Sequence, residues 1–127
     1  MPIEDFKLTA HFSFFEMTDT QVPGELDNNR KSAMNNINDL KLFCHTLEFI
    51  REMVGCPIIV NSGYRSPVVN RAVKGAVDSA HLYGKAADIR VSTPEKMREL
   101  LKIIEWLYIR SYIKYYKVYK TYFHINL

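Results

Sequence analysis

The chain holds four histidines, His11, His45, His81 and His124, and two of them stand among other groups that chemistry could use. His81 belongs to Ser79-Ala80-His81-Leu82-Tyr83-Gly84-Lys85-Ala86-Ala87-Asp88, where a glycine-containing turn separates an imidazole from a carboxylate. His124 lies in Phe123-His124-Ile125-Asn126-Leu127, whose alternation turns the imidazole away from the apolar side. Two imidazoles and one carboxylate with a fourth position open form the donor set of catalytic rather than structural zinc. A His-x6-Asp spacing also arises by chance, so spacing alone leaves structural roles open. His45 adjoins Cys44 within a helical pattern and is expected to be structural, while His11 carries no spacing signal. Cys44 and Cys56 have neither a CxxC pattern nor a histidine at finger spacing, and read as buried free thiols.

The elements that must position these groups follow from periodicity. Residues 86–91 read as a strand with Ala87, Ile89 and Val91 on one face and Ala86, Asp88 and Arg90 on the other. Ile58 to Asn61 is a short β-branched run bounded by Pro57 and Gly63, a second strand. Met34, Ile37, Leu40, Phe43, Cys44, Leu47, Ile50 and Val54 recur at three- and four-residue steps, which predicts a helix from about Ser32 to Val54. Gly55 and Pro57 stop it. Thr93-Pro94-Glu95 opens another helix, with Met97, Leu100, Leu101, Ile104 and Leu107 as its apolar stripe. Ser66-Pro67 starts a short helix that Gly75 ends. Before residue 30 the chain reads as irregular, with one capping box, Ser13 to Glu16, and a loop at Asp27-Asn28-Asn29. The reading is α+β: a small, mainly antiparallel sheet with helices packed on it.

Length and composition bound what such a fold can be. The 127 residues suit one domain, 1–127, and 47% hydrophobic with 24% charged residues is the mixture of a soluble globular protein. No apolar run approaches the roughly 20 residues of a membrane span. The start, Met-Pro-Ile-Glu-Asp-Phe, lacks the basic and apolar regions of a secretory signal. A net charge of +3 is too mild to imply nucleic acid by itself, but no acidic side chain follows Glu105. Residues 108–122 interleave six tyrosines with lysines. That segment reads as a twisted hairpin whose tyrosines cover the core and whose lysines guard an edge, in preference to a nucleic-acid surface.

The flanking blocks add a resemblance. Ser62-Gly63-Tyr64-Arg65-Ser66-Pro67, Asn70, Gly75, Ser79-Ala80-His81 and Gly84-Lys85-Ala86-Ala87-Asp88-Ile89, closed by Phe123-His124-Ile125-Asn126-Leu127, resemble the LAS-type zinc peptidases. This is metallopeptidase family fifteen, which includes D-Ala-D-Ala carboxypeptidases and phage endolysin peptidases. The resemblance runs from about Phe12 to the C-terminus and implies a Hedgehog/D,D-peptidase-like fold. It implies Zn2+ held by His81, Asp88 and His124, and Arg65 steadying the substrate carbonyl oxygen as charge grows on it. Ser79 and Tyr64 are the implied substrate contacts. The implied reaction is hydrolysis of an amide bond in peptidoglycan stem peptides or cross-links, with the enzyme made in a phage-infected cytoplasm and acting at the wall or periplasm. A monomer with peptidoglycan peptides as its partners is expected.

One position departs from the family pattern. The glutamate or aspartate that commonly precedes the last histidine by three residues is here Thr121, which cannot carry a proton in the useful range. Glu105 is the nearest upstream acid and a candidate for the base, but its helical position beside Trp106 favours a structural role, so the base is left unassigned. Two alternatives stay open: a zinc-containing murein-binding pseudo-enzyme, and a nucleic-acid-associated phage protein using the Tyr/Lys end.

Overall fold

Strand alternation and two amphipathic helices account for most of the architecture. The computed structural model describes residues 2–127. In chain order it contains β1 (Lys7–Thr9), β2 (Phe12–Ser13), α1 (Phe14–Met17), α2 (Leu26–Ala33), α3 (Ile37–Val54), β3 (Ile59–Ser62), α4 (Pro67–Ala72), β4 (Ala86–Arg90), α5 (Pro94–Ile109), β5 (Tyr115–Val118) and β6 (Phe123–Asn126). Short 3-10 turns at Met34–Asn36 and Ala80–Tyr83 complete it. The main sheet has the order β3-β4-β6-β5, and every neighbouring pair is antiparallel. β1 and β2 form a separate small hairpin.

One face of the sheet carries Ala87, Ile89, Phe123 and Ile125, which are buried against the apolar stripes of α3 and α5. Leu40, Phe43, Leu47 and Ile50 come from α3, and Leu100, Ile104 and Leu107 from α5. Leu and Ile side chains of this kind each contribute roughly 1.5–3 kcal/mol on burial, and they fix which way each strand faces. Because side chains alternate with period two, the same register turns Asp88 and His124 to the opposite face. The α+β expectation therefore holds, as do both strand faces.

The N-terminal third differs from its sequence reading. The Ser13 and Glu16 box forms, with each side chain on the other residue's backbone N–H. Asp27, Asn28 and Asn29, expected in a loop, lie in α2, and the long helix starts at Ile37 instead of near Ser32. The reason is tertiary. Asn29 is fully buried, donates to the carbonyls of Thr18 and Tyr64, and accepts from the Ser66 N–H at 2.7 Å. Those bonds offset the weak helix propensity of an Asp-Asn-Asn run. The hairpin at the basic end also forms, as β5 and β6, with β5 at the sheet edge. Its tyrosines do not cover the core: Tyr115 and Tyr119 are exposed, and Tyr116 alone among the β5 tyrosines packs against it.

Candidate metal centre

Register places the polar row of the site. Ser62 on β3 pairs with Asp88 on β4, Asp88 with His124 on β6, and His124 with Lys117 on β5. Cross-strand partners share a face, so one line across four strands carries a hydroxyl, a carboxylate, an imidazole and an ammonium. His81 arrives from the 3-10 turn. Ser79 caps that turn, its side chain accepting from the His81 N–H at 3.2 Å, and Gly84 at φ 71° closes it before β4. A residue with a β-carbon would be strained at that φ.

Three ligand atoms, one each from His81, Asp88 and His124, lie within 4.8 Å of one another. His81 Nδ1 donates to the Gly63 carbonyl oxygen at 2.6 Å, which leaves the Nε2 lone pair directed at Asp88 Oδ1, 3.3 Å away. His124 Nε2 donates to Asn126 Oδ1 at 2.9 Å, leaving Nδ1 at 2.9 Å from the same Asp88 oxygen. Each imidazole is thus oriented by an outer partner and offers its other nitrogen inward. Three electron-pair donors facing one another repel unless a proton or a cation sits among them. His81 and Asp88 are buried, and the donor set suits zinc with a position to spare.

Burial alone would raise the Asp88 carboxyl, but when protons sit on the inward nitrogens of His124 and His81, their hydrogen bonds and charge overrule it and hold the group well below the usual carboxylate range. Its second oxygen accepts from Arg65 Nη2 at 3.1 Å. Arg65 is fixed twice more, by Nε on Ser62 Oγ at 3.1 Å and by its backbone N–H on the His81 carbonyl at 3.0 Å. The turn bearing it needs Gly63, where a β-carbon would collide with the Met17 carbonyl.

Around this centre is a cavity of about 410 Å³ lined by Arg65, Ser79, His81, Asp88 and His124, with Tyr115, Lys117, Tyr119, Tyr122 and Asn126 on its β5–β6 side. Asp88 is the one carboxylate among the lining residues. A larger cavity of about 520 Å³, lined by His45, Phe49, Trp106 and Tyr112, is mostly apolar and has a single histidine. The three-donor cluster lines the smaller cavity, not the larger one.

Arg65, Ser79, His81, Asp88 and His124 are therefore brought together as expected, and two other expected residues are not. Tyr64 is buried with its hydroxyl 2.6 Å from Ser32 Oγ, outside the cavity lining, because its side chain ties α2 to the turn. Glu105 is exposed on α5, which packs on the core face of the sheet, opposite the ligands. Sequence reading missed Asn126, Ser62, Lys117 and Tyr122 as parts of the site. The alternation of β6 was a usable signal for Asn126 and Tyr122, and the β5 pairing that brings in Lys117 was not visible locally. Both cysteines are free; Cys44 is buried, with its thiol pushed up to about 12 by burial and by the Glu16 and Glu48 carboxylates, whereas Cys56, expected to be buried, is only part-buried because it follows the end of α3.

Fold and centre together define a small α+β protein, built on an antiparallel sheet, with a three-donor site that could hold a metal ion. A model of the Peptidase M15 family matches residues 10–126, nearly the whole chain, and the protein belongs to that family of zinc metallopeptidases. No curated protein matches the chain. Among the described residues no helix is long and apolar enough to cross a membrane.

Proposed function

We propose that this protein hydrolyses an amide bond in peptidoglycan stem peptides or cross-links, as a phage-encoded enzyme acting at the cell wall. One observation carries the reading: three inward-facing electron-pair donors, each held by an outer partner, on the floor of an open polar cavity. His81 Nε2, Asp88 Oδ1 and His124 Nδ1 would hold the metal. Zinc, when bound, supplies a Lewis acid and brings the pKa of a coordinated water toward ~7. The chain supplies the rest. Arg65 spends two of its five N–H donors on Ser62 and Asp88, which fixes the guanidinium and leaves the others for a carbonyl oxygen gaining charge. Ser79 sits on the cavity wall beside His81, where a peptide backbone would pass.

Zinc-loaded protein incubated with purified peptidoglycan fragments should generate new amino termini, read by mass spectrometry, and the masses will identify the bond cut. A second reading has its own support, since the cavity lining holds no carboxylate besides Asp88 to carry a proton to the leaving amine. Under it the protein binds stem peptides through zinc without cutting them, and the same incubation would show saturable binding with no new termini.

A further inference from the structure

Thr121 occupies the position where an acid was expected, and strand geometry removes it from the site. Side chains at 122, 124 and 126 share a face, so Thr121 falls on the other side, where it lines a separate cavity with Val91, Met97 and Phe123. Tyr122 lines the metal cavity with Arg65, Asp88 and His124. It is held there by a tight turn, in which the Tyr119 N–H donates to the Tyr122 carbonyl at 3.0 Å. The two rings stack at 4.6 Å and 11°, and Lys117 Nζ stands 5.1 Å from the Tyr119 ring centre. A cation over a stacked pair restricts both rings, so the phenol is pre-positioned at the cavity wall. Tyr64 spends its hydroxyl on Ser32, whereas that of Tyr122 enters no such bond among the described residues.

A phenol O–H is both donor and acceptor, so this side chain brings a hydrogen-bond donor to the cavity wall. We propose that Tyr122 is a catalytic residue of this chain: its O–H donates a hydrogen bond to the scissile carbonyl oxygen as that oxygen becomes negative, beside Arg65. No bond to Tyr122 forms or breaks, and its proton stays on the phenol. Donors aimed at developing charge in a partly enclosed site are worth far more than in water. The inference rests on the peptidase reading above.

Tyr122→Phe tests it, since the ring stack with Tyr119 is kept and one hydroxyl is lost. The readouts are zinc content, KM and kcat on a peptidoglycan peptide, and the affinity of zinc-loaded protein for a phosphinate peptide that mimics the tetrahedral state. Zinc content and KM should stay within about twofold, while kcat falls about 100- to 1000-fold, as for loss of one oxyanion donor. Phosphinate binding should weaken at least about tenfold. Thr121→Val should leave all of these unchanged. Undiminished kcat or phosphinate affinity in Tyr122→Phe would overturn the proposal, as would a parallel loss of zinc, which would make the tyrosine a structural support. If wild type shows no turnover, the phosphinate comparison decides alone. If wild type fails to bind phosphinate at all, the peptidase reading falls and the Tyr122 role with it; loss confined to the comparison sinks Tyr122 only.

Discussion

The two histidine-bearing cavities face opposite sides of one sheet and differ in how their polar atoms are held. In the α3–α5 cavity, Phe49, Trp106 and Tyr112 are linked by ring stacking at 6.5 and 6.1 Å, with the Arg110 guanidinium 4.6 Å from the Trp106 ring centre. Its His45 is exposed, and no other residue lining that cavity is a His, Cys, Asp or Glu. In the β4–β6 cavity every ligating group has an outer partner: Gly63 for His81, Arg65 for Asp88, Asn126 for His124. A histidine in a pocket is common. A histidine whose tautomer and ring angle are fixed from behind is prepared for a metal.

The sharpest contrast is in metal content. His81→Ala and His124→Ala should each lose nearly all bound zinc in metal analysis, and His45→Ala should keep about one zinc per chain. Full occupancy in both of the first two variants would erase the distinction between the cavities. Arg65→Ala should retain zinc but lower turnover about 100- to 1000-fold. Arg65→Lys should recover part of that loss, because an ammonium cannot span Ser62 and Asp88 as the planar fork does. Asn126→Ala leaves His124 without its outer partner and should weaken zinc affinity about 10- to 100-fold in a chelator competition. An unchanged affinity would show that the strand alone orients that ring. Smallest is Trp106→Ala, expected to lower thermal stability by about 1 kcal/mol through lost packing while leaving zinc affinity where it was.

What could be read in advance follows the same division. His81, Asp88 and the turn between them are local in sequence, and the alternation around Asp88 and His124 gives the face each side chain takes. Local signals also found the Ser13 box and the Thr93 cap, both formed here. Partners far apart in the chain were not legible. Asn29 reaches Ser66 across 37 residues and turns a run of loop-forming residues into helix. Glu105 is a candidate base only as the last acid in the chain; the period of α5 exposes it, and α5 packs on the core face of the sheet, away from the three donors. Counting three residues back from His124 gives Thr121. Counting does not see that Tyr122, on the same side of the strand as the ligand, is the residue that faces the cavity.

The central claim is that His81, Asp88 and His124 hold one zinc that the rest of the cavity uses to cut peptidoglycan amides. Its most direct test is mass spectrometry of defined stem peptides incubated with zinc-loaded wild type, with chelator-stripped wild type and with His124→Ala. Cleavage at one bond by the loaded protein, abolished in the other two and restored to the stripped wild type by added zinc, is the predicted result. Intact peptides in all three, or cleavage that survives both chelation and the loss of His124, would contradict it.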